Sequence, residues 1–275
     1  MTTARFVFPG IVLVLCSCGK PVTPNTQTAV TATATTATVG RVPPPQFRLD
    51  HYKFWKVKPD IGSSVQQQTG LKGQFDSFTR RVIVRSPEYI GNPVEKRRQG
   101  YPEQPIQNEK LHYVAYSIGD LIGELEFPPP PIKVTNQFGT GVPWKLRRRE
   151  WLLVPAAKSF ENNPGEPPKA DHFLCYAAQG PQVHVAIVLE DQFDKAMHQT
   201  EQVRDLVPAY FCVPVRKERP GKPPDEIRDP RTHLAIYDIT RPMTVSTKDQ
   251  FRQQQLTVTE SRYLGVPSTK EIVKQ

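Results

Sequence analysis

The chain has 275 residues, 29 of them proline, and a formal net charge of +9. A mainly helical protein rarely carries so much proline, because each one removes a backbone donor and clashes with the preceding turn. Short runs of alternating polarity favour strands instead, and the export signal described next argues against nucleic acid as the partner of the positive charge.

The N-terminus opens with one positive charge, Arg5, followed by ten mostly apolar residues from Phe6 to Leu15. That run is too short to span a bilayer, which needs about 20 residues, and suits a cleaved export signal. The stretch Leu15–Cys16–Ser17–Cys18 resembles the lipobox of bacterial lipoproteins. The resemblance implies a signal peptide over 1–17, cleavage before Cys18, and a lipid on the Cys18 sulfur. Cys16 suits that role less, since bulky Leu15 would then occupy a position that demands a small side chain. Acyl chains hold a protein on a membrane at about 0.8 kcal/mol per buried CH₂. Gly19, not Asp, follows the cysteine, which is compatible with outer-membrane sorting. The expected location is the cell envelope, with the membrane as one partner. Residues 18–46 are rich in Thr, Ala and Pro; they lack the apolar surface to offset ordering entropy and read as a disordered tether.

Beyond the tether, three motifs recur in the same order four times. The first is a histidine, His51, His112, His172 or His233, at intervals of 61, 60 and 61, each with an aromatic four positions later: Trp55, Tyr116, Tyr176 and Tyr237. The second is a Gln-Phe pair at Gln74, Gln137, Gln192 and Gln250. The third has an aromatic four before a proline and a lysine three after it, ending at Lys96, Lys158, Lys217 and Lys270. Self-similarity at a fixed period marks a repeat architecture. The expected copies span 47–98, 109–160, 169–219 and 229–272, joined by polar, proline-bearing connectors.

Strand parity then sorts the side chains, since residues two apart share a face. His172, Leu174, Tyr176 and Ala178 lie on one face and Phe173, Cys175 and Ala177 on the other. Both faces are largely apolar, so this strand is expected to be buried on both sides. The second motif ends an alternation that points its Phe inward and its Gln outward. Each copy therefore reads as three strands. The expected fold is all-β: four repeats of about 60 residues packed as a barrel or sandwich, with a four-bladed propeller as the alternative.

Two cysteines remain in an oxidising compartment, Cys175 and Cys212. The other copies carry Phe54 and Gly91, Ala115 and Leu153, or Ile236 and Gly265 at those two places, never a lone cysteine. Positions kept or lost together are expected to touch, so a Cys175–Cys212 disulfide is predicted, contributing roughly 4 kcal/mol. The series His-x-x-Cys-Tyr, Asp-Gln-Phe, Cys-x-Pro-x-x-Lys resembles an uncharacterised bacterial family of secreted tandem-repeat domains. The third copy resembles it most closely, and the other three depart at the cysteine positions. The resemblance implies an extracytoplasmic, β-rich, disulfide-bearing protein and brings no catalytic residue.

The four histidines could share a metal if the copies closed around an axis. The plainer expectation is that each starts a strand and bonds a carbonyl or loop of its own copy, so no metal and no cofactor is assigned. The glutamines, whose amides donate and accept, either fasten a turn or read a polar ligand. The lysines are expected to guard strand edges, and Lys145–Glu150 is the densest basic run. No catalytic motif is present. The expected function is a non-catalytic structural or binding module with an envelope protein or a glycan as partner. The alternative is an extracytoplasmic hydrolase or metal-binding enzyme using histidines from several repeats.

Overall fold

The computed structural model describes residues 49–59, 65–121, 129–161, 163–239, 243–251 and 253–273. The expected signal peptide, Cys18 and the expected tether lie outside the described residues. Among the described residues no helix is long and apolar enough to cross a membrane.

The first motif-bearing segment forms β1 (Tyr52–Pro59), β2 (Gln67–Gly73) and β3 (Arg80–Arg97). The second forms β4 (His112–Asp120), β5 (Ile132–Asn136) and β6 (Gly139–Ser159). The fourth forms β11 (His233–Asp238), β12 (Met243–Lys248) and β13 (Gln253–Ile272). The third departs from the expected three strands. It has β7 (His172–Gln179), β8 (Val183–Asp191), a single helical turn α1 (Gln192–Ala196), β9 (Glu201–Leu206) and β10 (Pro208–Glu218). β3, β6 and β13 each run unbroken, whereas the corresponding path breaks at Val207, between β9 and β10. Asp191 caps α1 through the amides of Phe193 and Asp194, and Asp194 returns a bond to the Asp191 amide.

All the strand pairings are antiparallel, and they close. β1 pairs with β3, β3 with β4, β4 with β6, and β6 with β7. β7 pairs with β10, β10 with β11, β11 with β13, and β13 returns to β1. The eight strands that carry the first and third motifs thus form a ring in chain order. The result is not an even barrel, because β2, β5, β8, β9 and β12 lie off the ring. They also cross between segments: β2 pairs with β10, β5 with β13, β8 with β3 and β12 with β6. Each segment's excursion therefore docks on the segment two further along.

The ring explains the double burial expected of the first motif. One buried cluster draws on all eight ring strands and so must fill the ring: Tyr52, Phe54, Tyr113, Ala115, Phe173, Cys175, Leu234 and Ile236 from first motifs, Tyr89, Trp151, Leu153, Cys212 and Tyr263 from third motifs. The opposite parity, Val114, Tyr116, Leu174, Tyr176, Ala235 and Tyr237, joins a second cluster with residues of the excursions, including Leu71, Ile132, Val185 and Leu189.

Inside the ring one layer consists of the facing pairs Phe54 with Gly91, Ala115 with Leu153, Cys175 with Cys212, and Ile236 with Gly265. Cys175 and Cys212 are disulfide-bonded. A Cβ on Gly91 would meet the Phe54 ring at 2.7 Å, and one on Gly265 would meet it at 2.9 Å. Phe54 takes the space that its two neighbours leave. The next layer gathers the aromatic of every third motif. Trp151 stacks on Tyr210 at 3.8 Å, Tyr89 lies 4.8 Å from Trp151, and Tyr263 contacts Tyr89, Trp151 and Tyr210 at 5.2–5.5 Å. This quartet plugs the end of the ring remote from the histidines.

Candidate functional site

The recurring polar residues meet where one segment adjoins the next. Because neighbouring ring strands are antiparallel, the start of each first-motif strand shares a rim with the end of each third-motif strand. That places a histidine and the lysine of the same segment side by side. The turn carrying the glutamine of the following segment then closes over them.

At the first junction, Gln137 Nε2 donates to His51 Nε2 at 2.8 Å. Lys96 Nζ lies 3.4 Å from the same nitrogen and donates to Gln104 Oε1 at 2.8 Å. At the third junction, Lys217 Nζ lies 2.8 Å from His172 Nε2 and 2.8 Å from Asp225 Oδ2, and Gln250 Nε2 lies 3.1 Å from His172 Nε2. At the fourth, His233 Nδ1 donates to the Arg231 carbonyl, Nε2 faces Gln74 Oε1 at 3.1 Å, and Lys270 donates to Gln74. The second junction is built differently. Gln192 donates to the Glu109 carbonyl at 3.3 Å and Lys158 to Asn92 at 2.9 Å, while His112 Nδ1 is buried with no hydrogen-bond partner among the described residues.

The phenylalanine beside each glutamine completes the pattern. Lys96 sits over Phe138, Lys158 over Phe193, Lys217 over Phe251 and Lys270 over Phe75, at 4.1–5.8 Å from the ring centre. The same rings meet the first-motif aromatic of the segment two away, edge-on: Trp55 with Phe193, Tyr116 with Phe251, Tyr176 with Phe75 and Tyr237 with Phe138. The residue before the glutamine holds the turn and reaches the same aromatic. Asp191 accepts from Phe193 N and Trp55 Nε1, and Asp249 from Phe251 N and the Tyr116 hydroxyl. Asn136 accepts from Phe138 N and donates to the Tyr237 hydroxyl. Gly73 cannot do this, and Asp76 binds the turn there by accepting from Gly73 N.

Three sequence-based expectations change. Only His233 bonds a carbonyl of its own segment; His51 and His172 take a glutamine from the next one. Gln74 and Gln192 do fasten backbone, at Pro230 and Glu109, but again in another segment. The lysines are not edge guards, since Lys96 and Lys217 are buried. Burial, the main cause, pulls Lys96 and Lys158 down to about 7 and Lys217 and Lys270 down to about 8. Burial and then the adjacent lysine lower His172 to about 3 and His233 to about 4, and push His51 and His112 well below the ordinary imidazole range. His51 and His172 are therefore neutral acceptors for the lysine and the amide beside them.

Sequence reasoning missed a further charged cluster. Lys53, fully buried, contacts both oxygens of Asp194 at 2.9 Å and Glu201 at 2.6 Å, with its ammonium 4.4 Å from the Trp55 ring centre. Val114, Leu174 and Ala235 occupy its place in the other segments; that lone charge in an apolar column was the available signal. The four histidines belong to four different junctions. Among the described residues no group of three His, Cys, Asp or Glu side chains could hold a metal ion. Of the basic run, Lys145, Arg147 and Arg148 are exposed, whereas Arg149 is buried and paired with Asp120 at 2.8 Å.

A family model described as a repeat of unknown function (DUF7450) matches residues 122–267, more than half of the chain. No curated protein and no solved structure matches it.

Proposed function

The chain belongs to the DUF7450 family of repeats of unknown function, and from that premise we propose that it is four copies of one unit, held on the cell envelope by a lipid on Cys18 and acting as a non-catalytic binding module. One observation supports this reading above the others: the residues with chemical potential are used between copies. Each glutamine reaches the preceding copy's histidine or its backbone, and each phenylalanine lies under the preceding copy's lysine. Groups so engaged stiffen a ring and are not free to turn over substrate. The metal-dependent alternative needs several histidines in one cleft, and the arrangement of one per junction weighs against it.

A stiff closed ring is a platform for loops. Its three connectors share the rim with the histidines, and that rim is where an envelope protein or a glycan is expected to bind. Crosslinking in intact envelopes followed by capture of the chain is the test. Recovery of one stoichiometric partner supports the module, and recovery of none, together with hydrolysis of an envelope polymer by the purified chain, rejects it. Mass spectrometry of the mature N-terminus tests the anchor separately, by finding an acylated Cys18 or an unmodified one.

A further inference from the structure

The third junction opens into a cavity of about 440 Å³ on the connector rim, within the range of small-molecule sites. Its walls are Pro155 of β6, Pro167 and Pro168 of the second connector, and Pro224 of the third. His172 and Gln250 reach it from the junction beneath. The cavity is held open by fixed elements. Asp171 accepts from the amides of Arg228 and Asp229 at 2.6 and 2.8 Å, and Lys217 and Asp225 pair through their backbones as well as their side chains. Proline walls and a tied loop leave little ordering cost for an occupant.

The charge balance inside is uneven. Two carboxylates line the cavity, and both are engaged: Asp225 by Lys217, and Glu226 by Arg216 Nε at 2.8 Å. Three cations line it, Lys169, Arg219 and Arg228. Lys169 and Arg228 are exposed, and their side chains have no ion-pair partner among the described residues. Arg219 has one long contact, 3.5 Å to Asp225, and its Nε has no hydrogen-bond partner. The guanidinium is thus short of acceptors in a half-buried site.

We infer that this cavity binds a small carboxylate-bearing ligand, whose anionic head meets Arg219, Lys169 and Arg228 and whose body lies along the proline walls. The inference names a ligand class for the binding role proposed above and rests on that reading. An acidic sugar residue of an envelope glycan carries this chemistry, and so does a free organic acid. A planar guanidinium matches a planar carboxylate.

Calorimetric titration of the full chain with galacturonate, benzoate, glutamate and citrate tests it, with galactose and benzamide as neutral counterparts. One or more of the acids should bind at a single site while the neutral counterparts do not. Arg219→Gln should weaken that binding about tenfold or more, the usual size of a lost charge-assisted bond. Lys169→Gln with Arg228→Gln, both at exposed positions, gives a second variant that does not disturb the interior and should weaken binding similarly. Arg97→Gln, remote from the cavity, should change nothing. Failure of all four acids, equal binding of acid and neutral counterpart, or full affinity in both variants overturns the inference. A chain that captures one envelope partner yet ignores every acid overturns the carboxylate site and leaves the binding module standing. A chain that binds acids but captures no partner does the reverse.

Discussion

Gln137 donates its side-chain amide to His51, 86 residues earlier in the chain. The bond joins the second-motif turn of one segment to the first-motif histidine of the segment before it, and Gln250 repeats it with His172. Local sequence similarity therefore encodes contacts between segments. His51, His172 and His233 each meet a glutamine of the following segment, which explains how four short strand groups share one closed sheet.

That joint should be measurable. Gln137→Ala leaves the partly buried His51 with one fewer partner, and a buried group stripped of its bond costs about 1–3 kcal/mol. The midpoint of urea unfolding should fall accordingly, with an unchanged slope. Gln192→Ala removes a bond to backbone at a junction where the histidine is not contacted, and its effect should be smaller. Equal losses from the two variants would count against the amide–imidazole bond as the working contact.

Stability should rise with pH across a wide window. Each junction histidine is held below its ordinary value by burial, His172 to about 3 and His233 to about 4. The unfolded chain therefore binds protons near pH 6.5 that the folded chain refuses, and stability present above that pH is lost as it falls towards 4. The lysines act in the same direction higher up. With folded values of about 7 and about 8, they shed protons that the unfolded chain keeps to about pH 10.4, so stability grows as pH climbs through 7 and 8. Asp194, raised to about 6, and Glu88, also raised, both mainly by burial, oppose this. Thermal melts should show a gain on the order of 5–10 °C between pH 5 and pH 8. A flat profile would mean that these side chains are solvated.

The layer at the ring's centre predicts a size-coupled response. Gly91→Ala places a methyl within 2.7 Å of the Phe54 ring, and overpacking of this kind costs about 1–3 kcal/mol. Phe54→Leu in the same chain should recover part of that loss, although Phe54→Leu alone leaves a void and destabilises. Reducing the Cys175–Cys212 bond should cost up to roughly 4 kcal/mol in the chain-entropy account of a 37-residue separation. Additive behaviour of the Gly91 and Phe54 changes, read from a double-mutant cycle, would contradict the shared-volume argument.

The same layer shows how far the sequence could be read. The repeat register and the alternation of faces were legible, because both are carried by spacing within one segment. So was the disulfide, since Cys175 and Cys212 face one another on adjacent ring strands. Shared volume across the layer accounts for the glycines at two of the other positions: Phe54 fills the space that Gly91 and Gly265 leave. What could not be read was which segment each turn would meet. A motif repeated four times gives every turn four chemically equal targets, and only ring closure by β1 and β13 selects one. The lysines show the same limit: a charge at a strand end suits a solvated edge equally well until a turn from elsewhere covers it.

The buried Lys53 supplies the last prediction, since it breaks the symmetry. Its ammonium is enclosed by Asp194, Glu201 and the face of Trp55, and the other segments have an apolar residue at its place. Lys53→Met removes the cation but leaves two carboxylates facing each other, and removing one partner from a buried ion cluster typically costs about 3–5 kcal/mol. Adding Asp194→Asn and Glu201→Gln to the same chain removes the stranded charges. If the cluster's worth lies in mutual compensation, this triple variant should regain most of the loss, because apolar or neutral replacements of buried ion clusters are often neutral or better. If the cluster instead sets how the turn at α1 docks on β1, the triple variant should stay as unstable as Lys53→Met. Chemical denaturation of the single and triple variants separates the two outcomes.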